Sequence, residues 1–302
     1  MQSQSSANKP GQNSSAATRF FSLLAPLLAP LLALSGLLIS HQVQAAGLPE
    51  TNKTAINADE IVNKINAVND GEHVTRNLTM TMTDKRGKVR VRETLAYRKY
   101  YGDEKRTILF YKKPTNVKGT SFLTYDYPVA NKDDDQWLYL PALRKVRRIS
   151  ASDRGDYFLG TDFTYEDIKL EGKLDVEDLN FATVKTEKLT TPDNQTLDTV
   201  VIRATAKTNE IAKELGYSHS QFWVDQANSV IVKQQFWDTK GKLLKTLVVS
   251  DISEVDGIIT RHKMDIENHK TGHFTNFVFH QVDYKAPVKD SLFSKRAMKQ
   301  GK

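Results

Sequence analysis

Between Asp135 and Leu170 the chain gathers the side chains best able to do chemistry. The acids Asp153, Asp156, Asp162, Glu166 and Asp167 follow a basic run, Arg144, Lys145, Arg147 and Arg148, and both are interleaved with Trp137, Tyr139, Phe158, Phe163 and Tyr165. Acids so grouped could hold calcium, but they lack the alternating ligand loop, turn glycine and terminal Glu of an EF-hand. Their ordinary role is to pair with Arg144, Arg147, Arg148 and Arg154 and to cap turns, which gives Asp162, Phe163, Tyr165, Glu166 and Asp167 the task of shaping one loop. The basic run could meet phosphate or carboxylate headgroups, or an acidic partner surface, because a guanidinium grips oxyanions in pairs. Its plain alternative is a solvated strand with local ion pairs.

Other chemistry finds less support. The His residues are scattered; His269 and His273 stand four apart but flank a Gly turn, and zinc usually takes three or four ligands. No Ser-centred elbow and no phosphate loop occurs. Without a nucleophile–base pair or a ligand cluster, the chain implies no catalytic site, no metal and no cofactor. Binding is the expectation.

The elements that must position these residues are mostly strands. Asn57 is a good N-cap for one short helix, whose Ile61, Ile65 and Val68 fall on a stripe ending before Gly71. Period-two segments follow at 74–84, 89–100, 104–112, 120–127, 136–140 and 145–149. In 89–100, Val89, Val91, Leu95 and Tyr97 read as the apolar side. A second set reads at 181–190, 198–206, 219–225, 229–238, 243–252, 258–267 and 273–283, with a helical piece at 208–215. Lys85-Arg86-Gly87-Lys88, Asp238-Thr239-Lys240-Gly241 and His269-Lys270-Thr271-Gly272 supply turns. No linker divides the halves, so one continuous, strongly bent antiparallel sheet is expected.

Several strands are apolar on both faces, among them Ile108-Leu109-Phe110-Tyr111, Phe222-Trp223-Val224 and Phe277-Val278-Phe279. Such strands need cover from helices, long loops or an apolar ligand. The few helices leave room for a cavity, whose candidate walls are Leu78, Met80, Met82, Phe110, Phe122, Trp137, Tyr139, Phe222, Phe236, Phe277 and Phe279. The competing role for each is plain core filling. An acyl chain of about 16 carbons costs on the order of 10 kcal/mol to expose to water, so a carrier must offer an apolar hollow, expected at more than roughly 300 Å³.

Residues 136–170 resemble the outer-membrane lipoprotein-sorting protein family, a branch of the LolA/LolB-like lipoprotein-carrier superfamily. The likeness rests on Trp137-Leu138-Tyr139-Leu140-Pro141, on Arg144 to Arg148 and on Gly160-Thr161-Asp162-Phe163-Thr164-Tyr165-Glu166-Asp167. It extends through Phe222-Trp223-Val224-Asp225, the Asp238/Gly241-Lys242 hairpin, Asn268 with Gly272, and Val282-Asp283-Tyr284, so it covers nearly all of 50–295. The resemblance implies a mainly β fold: a single large antiparallel, unclosed half β-barrel with a few helices and loops covering its concave face. It also implies a carrier of lipid or acylated protein, and relatives are often encoded beside inner-membrane RND-type exporters. The alternative on the same fold is an envelope signalling or assembly module that holds a protein partner. An enzyme acting on envelope lipids would need a catalytic pair that the residues do not supply.

The N-terminus bears on location. Lys9 and Arg19 flank an apolar run from Phe20 to Ile39, and Val43-Gln44-Ala45 closes it. This is the layout of a secretory signal over 1–45, cleaved after Ala45, which leaves 46–302 as the carrier domain in the periplasm. An uncleaved anchor is the competing reading, weakened by Pro26 and Pro30. There is no Cys, so neither disulfides nor N-terminal lipidation at Cys are available. Lys9 and Arg19 account for two of the seven surplus positive charges of the whole chain, which leaves 46–302 mildly basic. That balance fits transient contact with anionic membrane surfaces. No nucleic-acid motif occurs.

Overall fold

The computed structural model describes residues 56–128 and 132–301. The expected leader and its cleavage point lie outside the described residues. Thirteen antiparallel strands form one sheet that does not close. In chain order they are β1 (His73–Thr83), β2 (Val89–Tyr101), β3 (Glu104–Lys113), β4 (Ser121–Asp126), β5 (Asp135–Leu140), β6 (Lys145–Ile149), β7 (Leu179–Thr190), β8 (Thr196–Ala206), β9 (His219–Asp225), β10 (Val230–Trp237), β11 (Leu243–Val255), β12 (Ile258–Asn268) and β13 (His273–Asp283). The first six strands meander outward to one margin. The chain then crosses to the other margin at β7 and meanders back, until β13 pairs with β1 in the middle.

Each expected strand forms, with ends shifted by a few residues. Turn chemistry explains two of the hairpins. Asp84 accepts the backbone N–H of Arg86 and Lys88 at 2.8 and 3.0 Å, and Asp238 does the same for Lys240 and Lys242, both at 2.9 Å. Gly87 and Gly241 follow these acids at φ +80° and +76°, a left-handed conformation that glycine adopts without strain.

Alternation gives the faces. On β1, Leu78, Met80 and Met82 are buried inward while the threonines between them are only half-buried. On β2 the apolar pattern misleads: Val89 and Val91 are exposed, and Thr94, Ala96 and Arg98 are the residues buried on the inner side. Register decides this, because Arg76 faces Ala96 and Val74 faces Arg98 across the pair, and a one-residue slip would exchange the faces.

The strands that are apolar on both sides are covered twice, and the covers differ. On β3, Leu109 and Tyr111 join the inner core with Phe122, Phe158 and Phe277. Ile108 and Phe110 point outward with Leu123 and Trp137, where the tail of the chain covers them with Val288, Phe293, Ala297 and Met298. That tail ends in a short helix, α4 (Lys295–Gln300), capped by Ser294, which the sequence reading did not assign. It is tied down by Ser121, whose hydroxyl donates to the Met298 carbonyl at 3.1 Å, and by Tyr125, which donates to the Phe293 carbonyl at 2.6 Å. On β9, Phe222 and Val224 lie under the first helix, α1 (Ala58–Ala67), whereas Trp223 packs outward with Val201 and Val232.

The crossover from β6 to β7, residues 150–178, forms the inner cover. It contains α2 (Tyr165–Leu170), also unassigned from sequence, opened by a capping box in which Thr164 and Asp167 satisfy each other's backbone N–H. α3 (Asn209–Leu215) is the helical piece expected at 208–215.

Candidate functional site

The crossover is a plug as well as a lid. Phe158, Phe163 and Tyr165 are buried against the inner face of the sheet. Phe163 stacks on Phe277 with ring centroids 4.1 Å apart and planes 18° apart, while Phe158 and Tyr165 pack on Phe122 at 5.0 and 5.5 Å.

Buried polar contacts fix the plug to the far half of the sheet. Lys245 of β11, with no exposed surface, reaches across to Asp167 at 2.7 Å and donates to the Asp162 carbonyl at 3.1 Å. Its ammonium also sits 4.5 Å from the centre of the Phe236 ring. The Asp162 carboxylate accepts from the Thr275 hydroxyl at 2.7 Å and the Asn268 amide at 3.1 Å, and lies 2.5 Å from Nδ1 of His273. Glu166 pairs with Lys169 at 2.8 Å, and Lys169 also reaches Asp134. Burial drives the Glu166 carboxyl above its ordinary value, although Lys169 and Arg154 oppose the shift.

The partners of these acids correct the sequence reading. Arg147 does pair with Asp153, at 3.2 Å, but Arg148 takes Asp135 and Arg154 takes Asp178 and Glu214. Asp162, Glu166 and Asp167 are held by His273, Lys169 and Lys245 instead. A single sequence shows the arginines nearby and not the lysine 78 positions away.

A partly open cavity of about 170 Å³ remains between the plug, α1 and the inner face of the sheet. Of the candidate wall residues, Leu78, Phe236, Phe277 and Phe279 line it, together with Ala96, Leu109, Leu247, Met264 and Ile266. The other candidates lie elsewhere. Met80 and Phe122 are buried in the inner core around the plug, and Met82 is buried off the cavity wall. Phe110, Trp137 and Tyr139 pack on the outer face around the C-terminal tail, and Phe222 lies under α1. Arg144, Lys145, Arg147 and Arg148 are exposed on and beside the margin strand β6, away from the cavity, next to an exposed Leu143. A second hollow of about 350 Å³ lies between α1 and β7; Asp59, Asn63, Asn180 and Lys207 make it polar, and none of the candidates lines it.

One end of the apolar cavity is strongly charged, which the sequence reading missed. Arg76, Arg98, Arg261 and Lys173 line it with Asp70 and Glu171. Glu171, at the C-cap of α2, accepts from Arg76 at 2.6 Å and Arg98 at 3.2 Å, and its carbonyl accepts from Arg261. Arg98 also meets Asp70 at 2.7 Å. Burial pushes the Glu171 carboxyl up, but Arg76 and Arg98, with Lys105 and Arg261, overcome this and hold it below the usual value. Burial pulls Arg261 and Lys173 below their ordinary values. The available signal was parity: Arg76 shares a face with Leu78, Met80 and Met82, where an unneeded charge would be costly.

Among the described residues no group of three or more His, Asp or Glu gathers to hold a metal, and no helix is long and apolar enough to cross a membrane.

A wide antiparallel sheet left open and covered by its own crossover is the LolA-like fold of open half-barrels. A family described as "Uncharacterized protein" matches residues 103–300, more than half of the chain, and the chain belongs to it. The resemblance to lipoprotein-sorting proteins is borne out by solved structures. A DUF1329 family protein from Desulfovibrio piger ATCC 29098 is 27% identical, with a TM-score of 0.71 over 79% of this chain and 96% of its own. A putative outer membrane lipoprotein-sorting protein domain from Vibrio parahaemolyticus matches at 27% identity and a TM-score of 0.71, over 80% of this chain and 98% of its own. A LolA superfamily protein from Nitrosomonas europaea, at 20% identity and a TM-score of 0.59 over 80% of this chain and all of its own, shares the fold. A search of curated proteins found no match.

Proposed function

We propose that this protein is a periplasmic carrier that buries an acyl group of a lipid or lipidated protein, without catalysing a reaction. The observation that carries the reading is the apolar cavity between sheet and crossover, walled by Leu78, Phe236, Phe277 and Phe279. The likeness to a putative lipoprotein-sorting domain supports it. At about 170 Å³ the cavity falls short of the expected size and below the several hundred Å³ usual for small-molecule sites. A long chain therefore enters by displacing part of the plug, with Phe158, Phe163 and Tyr165 giving up their places on the sheet. The aromatic plug mimics cargo in the empty carrier, which lowers the cost of being empty and permits release.

Residues 1–45 serve as the cleaved export signal and 46–302 as the carrier. Arg144, Lys145, Arg147 and Arg148, beside exposed Leu143, make the transient contact with an anionic membrane surface or with an RND-type inner-membrane exporter that hands over cargo. The test is native mass spectrometry of protein taken from its own compartment, combined with displacement of an acyl probe from purified protein. Co-purified lipid or acylated protein, displaced by the probe, is the expected result. Protein that carries no acyl species and binds no probe refutes the proposal.

A further inference from the structure

The charged end of the cavity has more cations than its own acids neutralise. Arg76, Arg98, Arg261 and Lys173 gather there beside two carboxylates, Asp70 and Glu171, which form ion pairs with Arg76 and Arg98. Of the other acids on the wall, Asp167 pairs with Lys245, and Asp175 turns to the backbone N–H of Glu177 and Asp178 and forms no ion pair with these four cations. Arg261 donates to the Glu171 carbonyl, and Lys173 to the carbonyls of Asn66 and Val68; neither forms an ion pair with a carboxylate among the described residues. Nε of Arg76 and Nε of Arg98 are buried without an acceptor, although the Arg98 side chain is only 4% exposed. Buried cations in excess are costly unless an anion joins them.

The geometry also joins the two ends of the cavity. The Arg76 guanidinium lies 4.7 Å from the centre of the Phe279 ring, which belongs to the apolar wall. Gly172, at φ +89°, lets Arg261 lie directly against the backbone, where any β-carbon would run into its guanidinium. From this we infer that the cavity selects an amphiphile whose anionic headgroup, a phosphate or a carboxylate, sits among Arg76, Arg98, Arg261 and Lys173 while its acyl chain runs along Phe279, Phe277 and Leu78. The inference rests on the carrier reading and names the headgroup class. It also places the headgroup inside the cavity and not on the exposed run Arg144–Arg148.

The test uses mature protein stripped of lipid and loaded with the neutral fluorophore N-phenyl-1-naphthylamine. Dodecyl phosphate, dodecanoate and dodecyl maltoside are each titrated below their micelle concentrations, with inorganic phosphate alone as a fourth arm. One or two charge-assisted hydrogen bonds predict that at least one anionic amphiphile displaces the fluorophore at about tenfold lower concentration than the maltoside. Whether phosphate or carboxylate is favoured separates phospholipid-like from fatty-acid-like cargo. Inorganic phosphate alone is expected to displace nothing. Arg261→Gln is expected to narrow the gap between the anions and the maltoside to less than about twofold, and Arg76→Gln serves if the first variant melts early. Equal displacement by all three amphiphiles overturns the headgroup inference and leaves the carrier standing. Displacement by none overturns the carrier reading itself. The comparison within the unsubstituted protein decides the matter even if both variants misfold.

Discussion

Replacing Lys245 by Met tests what holds the plug on the sheet. Met keeps most of the aliphatic stem, so the substitution removes the ammonium without opening a large void. Breaking a buried ion pair from one side usually costs about 3–5 kcal/mol, because the abandoned charge stays desolvated. Here Asp167 keeps one partner, the Thr164 N–H at 2.8 Å, and is partly exposed, which places the expected cost near 3 kcal/mol at the bottom of that range. Asp167→Asn alone leaves the Lys245 ammonium without an opposite charge, among the Asp162 carbonyl, the new amide and the face of Phe236, and should cost a similar amount. The double variant removes both charges, so its loss should fall short of the sum by about 2 kcal/mol. Urea unfolding of the four proteins gives the cycle. Hydrogen exchange should show the opening concentrated in residues 150–178, with β8 and β9 remaining protected. A Lys245→Met loss below about 1 kcal/mol, or strict additivity in the double variant, would refute the reasoning.

Two further expectations concern the opposite ends of the structure. The depressed Glu171 carboxyl is ionised in the folded state at pH values where an unfolded glutamate, near 4.5, is partly protonated. Its stabilising contribution is therefore complete above that value and is lost as pH falls through the lower folded value. Thermal melts between pH 3 and 5 should show a steeper acid loss for the unsubstituted protein than for Glu171→Gln, and parallel curves would count against the network. Met298→Ala, at a fully buried position over Ile108 and Phe110, should cost about 2–4 kcal/mol in urea unfolding. Acyl-probe affinity should stay unchanged, because this contact lies on the other side of the sheet from the cavity; a changed affinity would show that the two faces are coupled.

What the residues revealed in advance was local. Alternation placed the strands, and the glycine-bearing polar clusters at 85–88 and 238–241 placed turns, although the part of Asp84 in the first was not foreseen. The excess of apolar residues on β3 and β9 correctly demanded cover on two sides. The source of that cover was hidden, since the tail from 285 onward places Val288, Phe293 and Met298 too far apart in sequence to look like an apolar surface. β2 was read on the wrong face because its valines are exposed and its inner face carries Thr94, Ala96 and Arg98. The charged end of the cavity was hidden for a related reason. Its members come from β1, β2, β12 and the crossover, so Arg76 and Glu171 meet across 95 positions of chain. Periodicity reports which way a side chain points, whereas only inter-strand register reports what it meets.

The pairing of β1 with β13 also governs when the protein can fold. Asn77 and Gln281, 204 positions apart, hydrogen-bond at the centre of the sheet, so its middle seam is sewn with the strand latest in the chain among the described residues. Distant pairings of this kind make folding slow. A chain delivered from its N-terminus pairs β1 to β6 among themselves but leaves one edge of β1 without its neighbour, and the outer face of β3 to β5 stays bare until the tail arrives. The topology therefore postpones the native state until β13 and the tail that follows it are present.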